Sequence, residues 1–153
     1  MICVAFYKAP GNWADWIVRK WTRGPYSHCE LVIGDVWISA SPREGVVRSK
    51  TMPMDSTVWD VVPLNFDVAQ VKTIRAVAEV EIGCKYDWLG IVLTQFVNLN
   101  RQDPDRWFCS ELVTYLLQQT GMLPGATPHQ VDPNKLYNEL QGCCIERLDW
   151  HGG

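Results

Sequence analysis

The chain has 153 residues, enough for one continuous core and too few for two independent ones. Hydrophobic residues make up 47% of it and charged residues 20%, a balance that excludes a disordered chain. Lys+Arg number 14 against Asp+Glu 17, so the chain carries no basic footprint for nucleic acid.

Ile2-Cys3-Val4-Ala5-Phe6-Tyr7 is apolar and rich in strand formers, and Lys8-Ala9-Pro10-Gly11 ends it, which predicts a buried strand. Asn12 caps a helix in which Trp13, Trp16, Ile17 and Trp21 recur at the spacing of one buried face, and Arg23-Gly24-Pro25 stops it. Residues 27–33, 36–40 and 46–48 read as strands separated by the Gly34-Asp35 turn and by Ser41-Pro42-Arg43-Glu44-Gly45. Residues 58–64 read as a further strand, with Pro63 marking an edge or an end. The succession predicts an antiparallel meander. After Asp67, a candidate cap, Val68, Val71, Ile74, Val77, Ala78 and Ile82 fit a helix ending at Gly83. Asp87 caps a shorter helix with Trp88, Leu89, Ile91, Val92 and Phe96, and residues 98–106 form a polar loop around Asp103-Pro104-Asp105. A helix starts near Cys109, turns Leu112, Val113, Tyr115 and Leu116 to the core, and closes at Gly121. Asp132-Pro133 opens the last helix, and a short strand over 144–148 ends the chain. Strands come first and helices later, so the expected class is α+β, a single domain over 1–153 with an antiparallel sheet packed against helices.

Six cysteines, Cys3, Cys29, Cys84, Cys109, Cys143 and Cys144, suggest either a secreted disulfide framework or a set of reduced thiols. The first ten residues lack a basic region and a long apolar stretch, so the expectation is a cytoplasmic chain with reduced thiols. Apolar runs such as 89–93 are far shorter than the roughly 20 residues that span a bilayer, and no stable membrane insertion is expected. Neither Cys-x-x-Cys nor His-x-x-x-His spacing occurs, Cys143 and Cys144 on a strand would point to opposite faces, and a Gly-rich phosphate loop is missing. The expectation is accordingly no metal and no cofactor.

Cys109 stands apart from the other thiols because it falls in the first turn of an amphipathic helix. Unpaired backbone N–H groups and the positive end of the helix dipole stabilise a thiolate there and can hold an oxyanion. The same position also suits a thiol that merely packs against the core. A thiolate nucleophile needs an imidazole, and the chain offers His28, His129 and His151. His151 lies in the tail and His129 in a loop rich in Pro and Gly. His28 lies on Ser27-His28-Cys29-Glu30-Leu31-Val32-Ile33, where alternation puts His28 and Glu30 on one strand face and Cys29 and Leu31 on the other. That polar face fronts either solvent or a cleft, and Glu30 is the group able to orient the imidazole.

Three segments together carry a resemblance: Tyr26-Ser27-His28-Cys29-Glu30-Leu31 on an early strand, Tyr86-Asp87-Trp88-Leu89-Gly90 in the middle, and Trp107-Phe108-Cys109-Ser110-Glu111-Leu112-Val113 opening a late helix. They resemble the circularly permuted NlpC-type cysteine hydrolases of the papain-like superfamily, the branch that includes lecithin-retinol acyltransferase-like proteins and bacterial and phage relatives. In that branch the histidine precedes the cysteine, as here, and the likeness extends over about residues 2–140, Asp132-Pro133-Asn134-Lys135-Leu136 included. The resemblance implies a permuted papain-like fold, a nucleophile at Cys109, His28 as its partner and later proton donor, and a backbone oxyanion site at the helix start. It implies a polar third group. Ser39 and Ser41 on the next strand supply no charge, so Glu30 is preferred, with Glu111 as a rival whose first-turn position the helix dipole also favours. Tyr26, Tyr86 and Ser110 are the expected substrate or oxyanion positions, the tyrosines serving equally well as packing residues.

The implied activity is that of a cysteine hydrolase or acyltransferase acting on an amide or ester through a Cys109 acyl-enzyme, with peptidoglycan-type peptides or amides first and lipid esters next. A phage origin reconciles a cell-wall substrate with the expected lack of an export signal. The alternative is a non-enzymatic phage or bacterial interaction protein that reuses the fold to bind a host protein, with exposed members of the eight Trp as anchors.

Overall fold

The computed structural model describes residues 1–11, 13–41, 44–86, 106–107 and 109–149, with the backbone alone at 14, 17, 21, 86, 106–107 and 144–149. Seven strands, β1 Ile2–Tyr7, β2 His28–Ile33, β3 Val36–Ser41, β4 Val46–Thr51, β5 Trp59–Pro63, β6 Lys85–Tyr86 and β7 Arg106–Trp107, form one sheet in the order β5-β1-β2-β3-β4-β6-β7. All pairs are antiparallel except β6 with β7, which is parallel. Among the described residues four α-helices accompany it: α1 Trp13–Thr22, α2 Val68–Glu81, α3 Cys109–Gln118 and α4 Pro133–Asp149. The class is mixed α and β, and β1 to β4 are consecutive neighbours, as a meander requires.

Why β1 is apolar at every position follows from its place second from the sheet edge. Val4 and Phe6 join Leu31, Ile38, Val47, Ile74, Leu112, Leu116, Leu136 and Leu140 in the main core, on the face that the helices cover. Cys3 and Ala5 point the other way, into a smaller cluster with Val32 and Trp37, closed by Met52 and Trp59. A strand buried on both faces reads as a continuous apolar run. Gly34, at φ 70, turns β2 into β3, a conformation that suits glycine in a two-residue hairpin. Pro63 closes β5, and β5 is indeed an edge strand. Asp67 caps α2 in a reciprocal box with Gln70, each side chain accepting from the other's backbone N–H.

Three expectations are corrected. Trp13 and Trp16 are 69% and 60% exposed, so they do not form a buried face of α1. Their spacing places them on one stripe with Lys20, whose ammonium lies 5.7 Å from the Trp16 ring centroid, and that stripe faces outward. Spacing defines a shared face but not what covers it. The expected strand over 144–148 is instead the last part of α4, which runs on past Gly142 because Leu136, Leu140 and Cys143 keep the helical spacing toward the core. Arg106, expected in a loop, pairs with Lys85 in β7. The expected helix over 88–96 and the rest of the loop lie outside the described residues.

Candidate active site

The site forms where the sheet opens. The β2–β3 ladder joins residues 31–33 to 36–38 and stops there, whereas β1 follows β2 out to His28 and β4 follows β3 out to Ser41. Residues 28–30 and 39–41 therefore part from each other, and α3 crosses the parting on the helix-covered side with its first turn buried. Cys109, 7% exposed, meets β2 at this point. Its sulfur lies close enough to the Cys29 thiol and the His28 imidazole for both to favour its ionised form. A thiol carried by the helix face thus reaches an imidazole on a strand whose alternate side chains point to the opposite face.

Behind the imidazole stands a buried ion-pair chain. His28 Nε2 lies 3.2 Å from Glu30 Oε1, and Arg48 Nη2 donates to that same oxygen at 2.8 Å. Nε2 is thereby engaged with the carboxylate. Glu30 is 1% exposed. Ser39 on β3 lies close enough to help keep the carboxylate ionised, yet not in hydrogen-bond geometry, so Glu30 Oε2 and Ser39 Oγ both retain unfilled capacity. Arg48 Nε in turn sits 3.4 Å from Glu44 Oε1.

The charges follow from these contacts. Cys109 is held well below the ordinary thiol range, chiefly by the hydrogen bond from Cys29; burial opposes, and the charge and hydrogen bond of His28 outweigh it. Its first-turn position on α3 acts in the same direction. Burial first, and then the Cys109 thiolate, push Cys29 up, so Cys29 remains a protonated donor. Burial by itself would lower His28, but Cys109 and then Glu30 overcome it and push the imidazole up to about 10. Burial likewise opposes ionisation of Glu30, and the hydrogen bond and charge of His28, followed by the charge of Arg48, hold it below 4.5. The resting state is a thiolate–imidazolium pair backed by a carboxylate, an arrangement able to attack an electrophilic carbon and then return a proton.

The sequence-derived residues fall out as follows. Cys109, His28 and Glu30 come together in one cluster. Ser110 is buried as the second residue of α3, beside the backbone N–H groups of that helix start, and Glu111 is buried in the same turn. Tyr26 packs its ring against Phe6 and Tyr137 in the core, and its hydroxyl donates to Asp60 at 2.9 Å, so that hydroxyl is committed away from Cys109. Burial and then Asp60 push the phenol far above its usual range. Tyr86 pairs through its backbone with Trp107 in β7, and its side chain lies outside the described residues.

Three participants escaped the sequence reading. Arg48 shares a cross-strand row with Ser39, a register that no local pattern fixes. Alternation places Cys29 on the face opposite His28, as its packing in the main core shows, but it carries no sign of the opening through which Cys109 comes near it. Asn134 clamps the approach to β2: its Oδ1 accepts from Tyr26 N at 3.0 Å, and its Nδ2 donates to Tyr26 O at 2.9 Å and to Thr22 Oγ1 at 2.7 Å. Ser27 Oγ donates to Asp15 Oδ1 of α1 at 2.9 Å, so the residues just before His28 are tied to two helices. The Asp132-Pro133 signal marked this helix start, and Asp132 Oδ1 does accept from the N–H groups of Asn134 and Lys135. Against models of known protein families and against curated proteins, the chain has no match.

Proposed function

We propose that the chain is a cysteine-dependent hydrolase or acyltransferase of the permuted NlpC type. The observation that carries this reading is that Cys109, in the first turn of α3, lies beside an imidazole whose Nε2 is 3.2 Å from a buried carboxylate. Thiolate, imidazolium and orienting carboxylate in that sequence are what nucleophilic acyl transfer needs. The Cys109 sulfur attacks the carbonyl carbon of an amide or ester, and its electron pair moves to the carbonyl oxygen, which the N–H groups at the start of α3 stabilise. As the C–N or C–O bond breaks, His28 gives its proton to the leaving group. Water or another acceptor then loses a proton to His28, attacks the thioester and releases Cys109. Peptidoglycan-type peptides or amides are the first substrate class and lipid esters the second, met inside the cell that makes the chain or from a phage particle. No helix among the described residues is long and apolar enough to cross a membrane.

The test is selective labelling. Iodoacetamide near neutral pH, followed by peptide mass spectrometry, is expected to modify Cys109 at least about tenfold faster than the other five thiols, and His28→Ala is expected to remove that advantage. Equal, slow labelling of all six thiols in the folded protein sinks the catalytic reading. A second reading, a binding protein that reuses the fold, is favoured by the outward Trp13 and Trp16 of α1 and would then take its place.

A further inference from the structure

We propose that Arg48 is a positioning residue of this site, the permanent counter-charge that keeps Glu30 ionised while His28 gains and loses its proton. This rests on the acyl-transfer reading above. Glu30 is 1% exposed, and an uncompensated carboxylate at such a place is strongly disfavoured. Two cations address it through one oxygen, His28 Nε2 at 3.2 Å and Arg48 Nη2 at 2.8 Å. Only the second is permanent, because a guanidinium does not deprotonate in proteins. In the resting site the Cys109 thiolate and Glu30 are balanced by the imidazolium and Arg48. Once His28 has protonated the leaving group, Cys109 is an uncharged thioester and the imidazole is neutral. Glu30 and Arg48 then remain as a balanced pair. Without Arg48 both stages carry one unmatched buried negative charge, which makes the imidazolium a poorer proton donor and raises the pH at which the thiolate forms.

The surroundings leave Arg48 free for this task. Glu44, in the turn before β4, is shared between Arg48 Nε and Lys50 Nζ, so Lys50 offsets much of its charge. Around Glu30 and His28 stand Cys29 on β2, Ser39 on β3, Cys109 on α3, Tyr7 as the β1 neighbour of His28, and Trp59 on β5, whose ring centroid is 6.4 Å from the imidazole. Arg48 is 13% exposed in its side chain, which shields its charge from solvent.

The experiment is the pH dependence of Cys109 alkylation by iodoacetamide in wild type, Arg48→Lys and Arg48→Gln. Lysine keeps the charge, whereas glutamine keeps a donor to Glu30 without it. The expected result is a labelling midpoint near wild type for Arg48→Lys and one about a pH unit higher for Arg48→Gln, read as about tenfold slower labelling on the acid side. Coincident midpoints in all three overturn the proposal, as does an equal shift in both variants, which marks Arg48 as scaffolding. If Arg48→Gln does not fold, the double variant Glu30→Gln/Arg48→Gln is expected to fold because no buried charge is left unmatched. Failure of the double variant to fold also overturns the proposal. Slow wild-type labelling of Cys109 refutes the acyl-transfer reading itself, whereas fast wild-type labelling with an unshifted Arg48→Gln refutes only the role of Arg48.

Discussion

A histidine taken out of water without partners is neutral, since burial disfavours its cation. His28 is pushed up to about 10 because the Cys109 thiolate and the Glu30 carboxylate outweigh that burial. Its raised value stabilises the fold fully below the unfolded value of 6.5, and this contribution is lost as pH rises through about 10. Glu30 has the opposite sign: its depressed value contributes above the unfolded 4.5 and is lost as pH falls through the folded value. Glu30→Gln removes both the orientation of the imidazole and this pH-linked stability. Its acylation burst with p-nitrophenyl acetate is expected to slow by about 10²-fold with the fold retained. In urea denaturation the stability gap between wild type and Glu30→Gln is expected to shrink from pH 7 to pH 3. An unchanged burst removes Glu30 from the mechanism. Alternation along β2 made the His28–Glu30 face legible in the sequence; the partner that makes its burial tolerable, Arg48, lies on another strand.

At the scale of elements, the approach to β2 depends on α4. Asn134 satisfies both backbone groups of Tyr26 and the Thr22 hydroxyl, three hydrogen bonds of about 1 kcal/mol each. Gly24 lets this amide come close, since a Cβ at that position would stand 2.2 Å from Asn134 Oδ1. The amide cannot swing aside without losing those bonds. Asn134→Ala is therefore expected to cost about 2–3 kcal/mol in urea denaturation, and Gly24→Ala a comparable amount. Together they are expected to be less than additive, because the alanine at 134 removes Oδ1 and Cγ, the two atoms nearest the added methyl, and leaves only its own Cβ at 2.9 Å. Full additivity would show that the two positions do not share this contact. The helix start at Asp132-Pro133 was legible from capping chemistry, whereas the reach of Asn134 to a turn 108 residues away in sequence was not.

For the whole molecule, α1 is the element whose Trp13 and Trp16 stripe turns outward. Trp13→Ser and Trp16→Ser are expected to change unfolding free energy by less than about 0.5 kcal/mol, the usual range for exposed positions. A loss of several kcal/mol in thermal or urea denaturation would mean that this stripe is buried in solution. The amino-acid sequence by itself located β1, β2, β3, α2 and α3 to within about three residues at their ends, narrowed Pro63 to an edge or an end of β5, and placed Cys109 at a helix start and His28 with Glu30 on one strand face. Those are encoded within a few residues, by alternation, helical spacing, caps and turn residues. Tertiary structure alone decided that α1 turns Trp13 and Trp16 outward, that the last apolar run extends α4 instead of adding a strand, and that β2 parts from β3. It also brought Arg48 to Glu30 and Cys109 to His28 and Cys29. Register between strands and the packing of a helix across an opening in the sheet depend on residues far apart in sequence, and no local pattern carries that information.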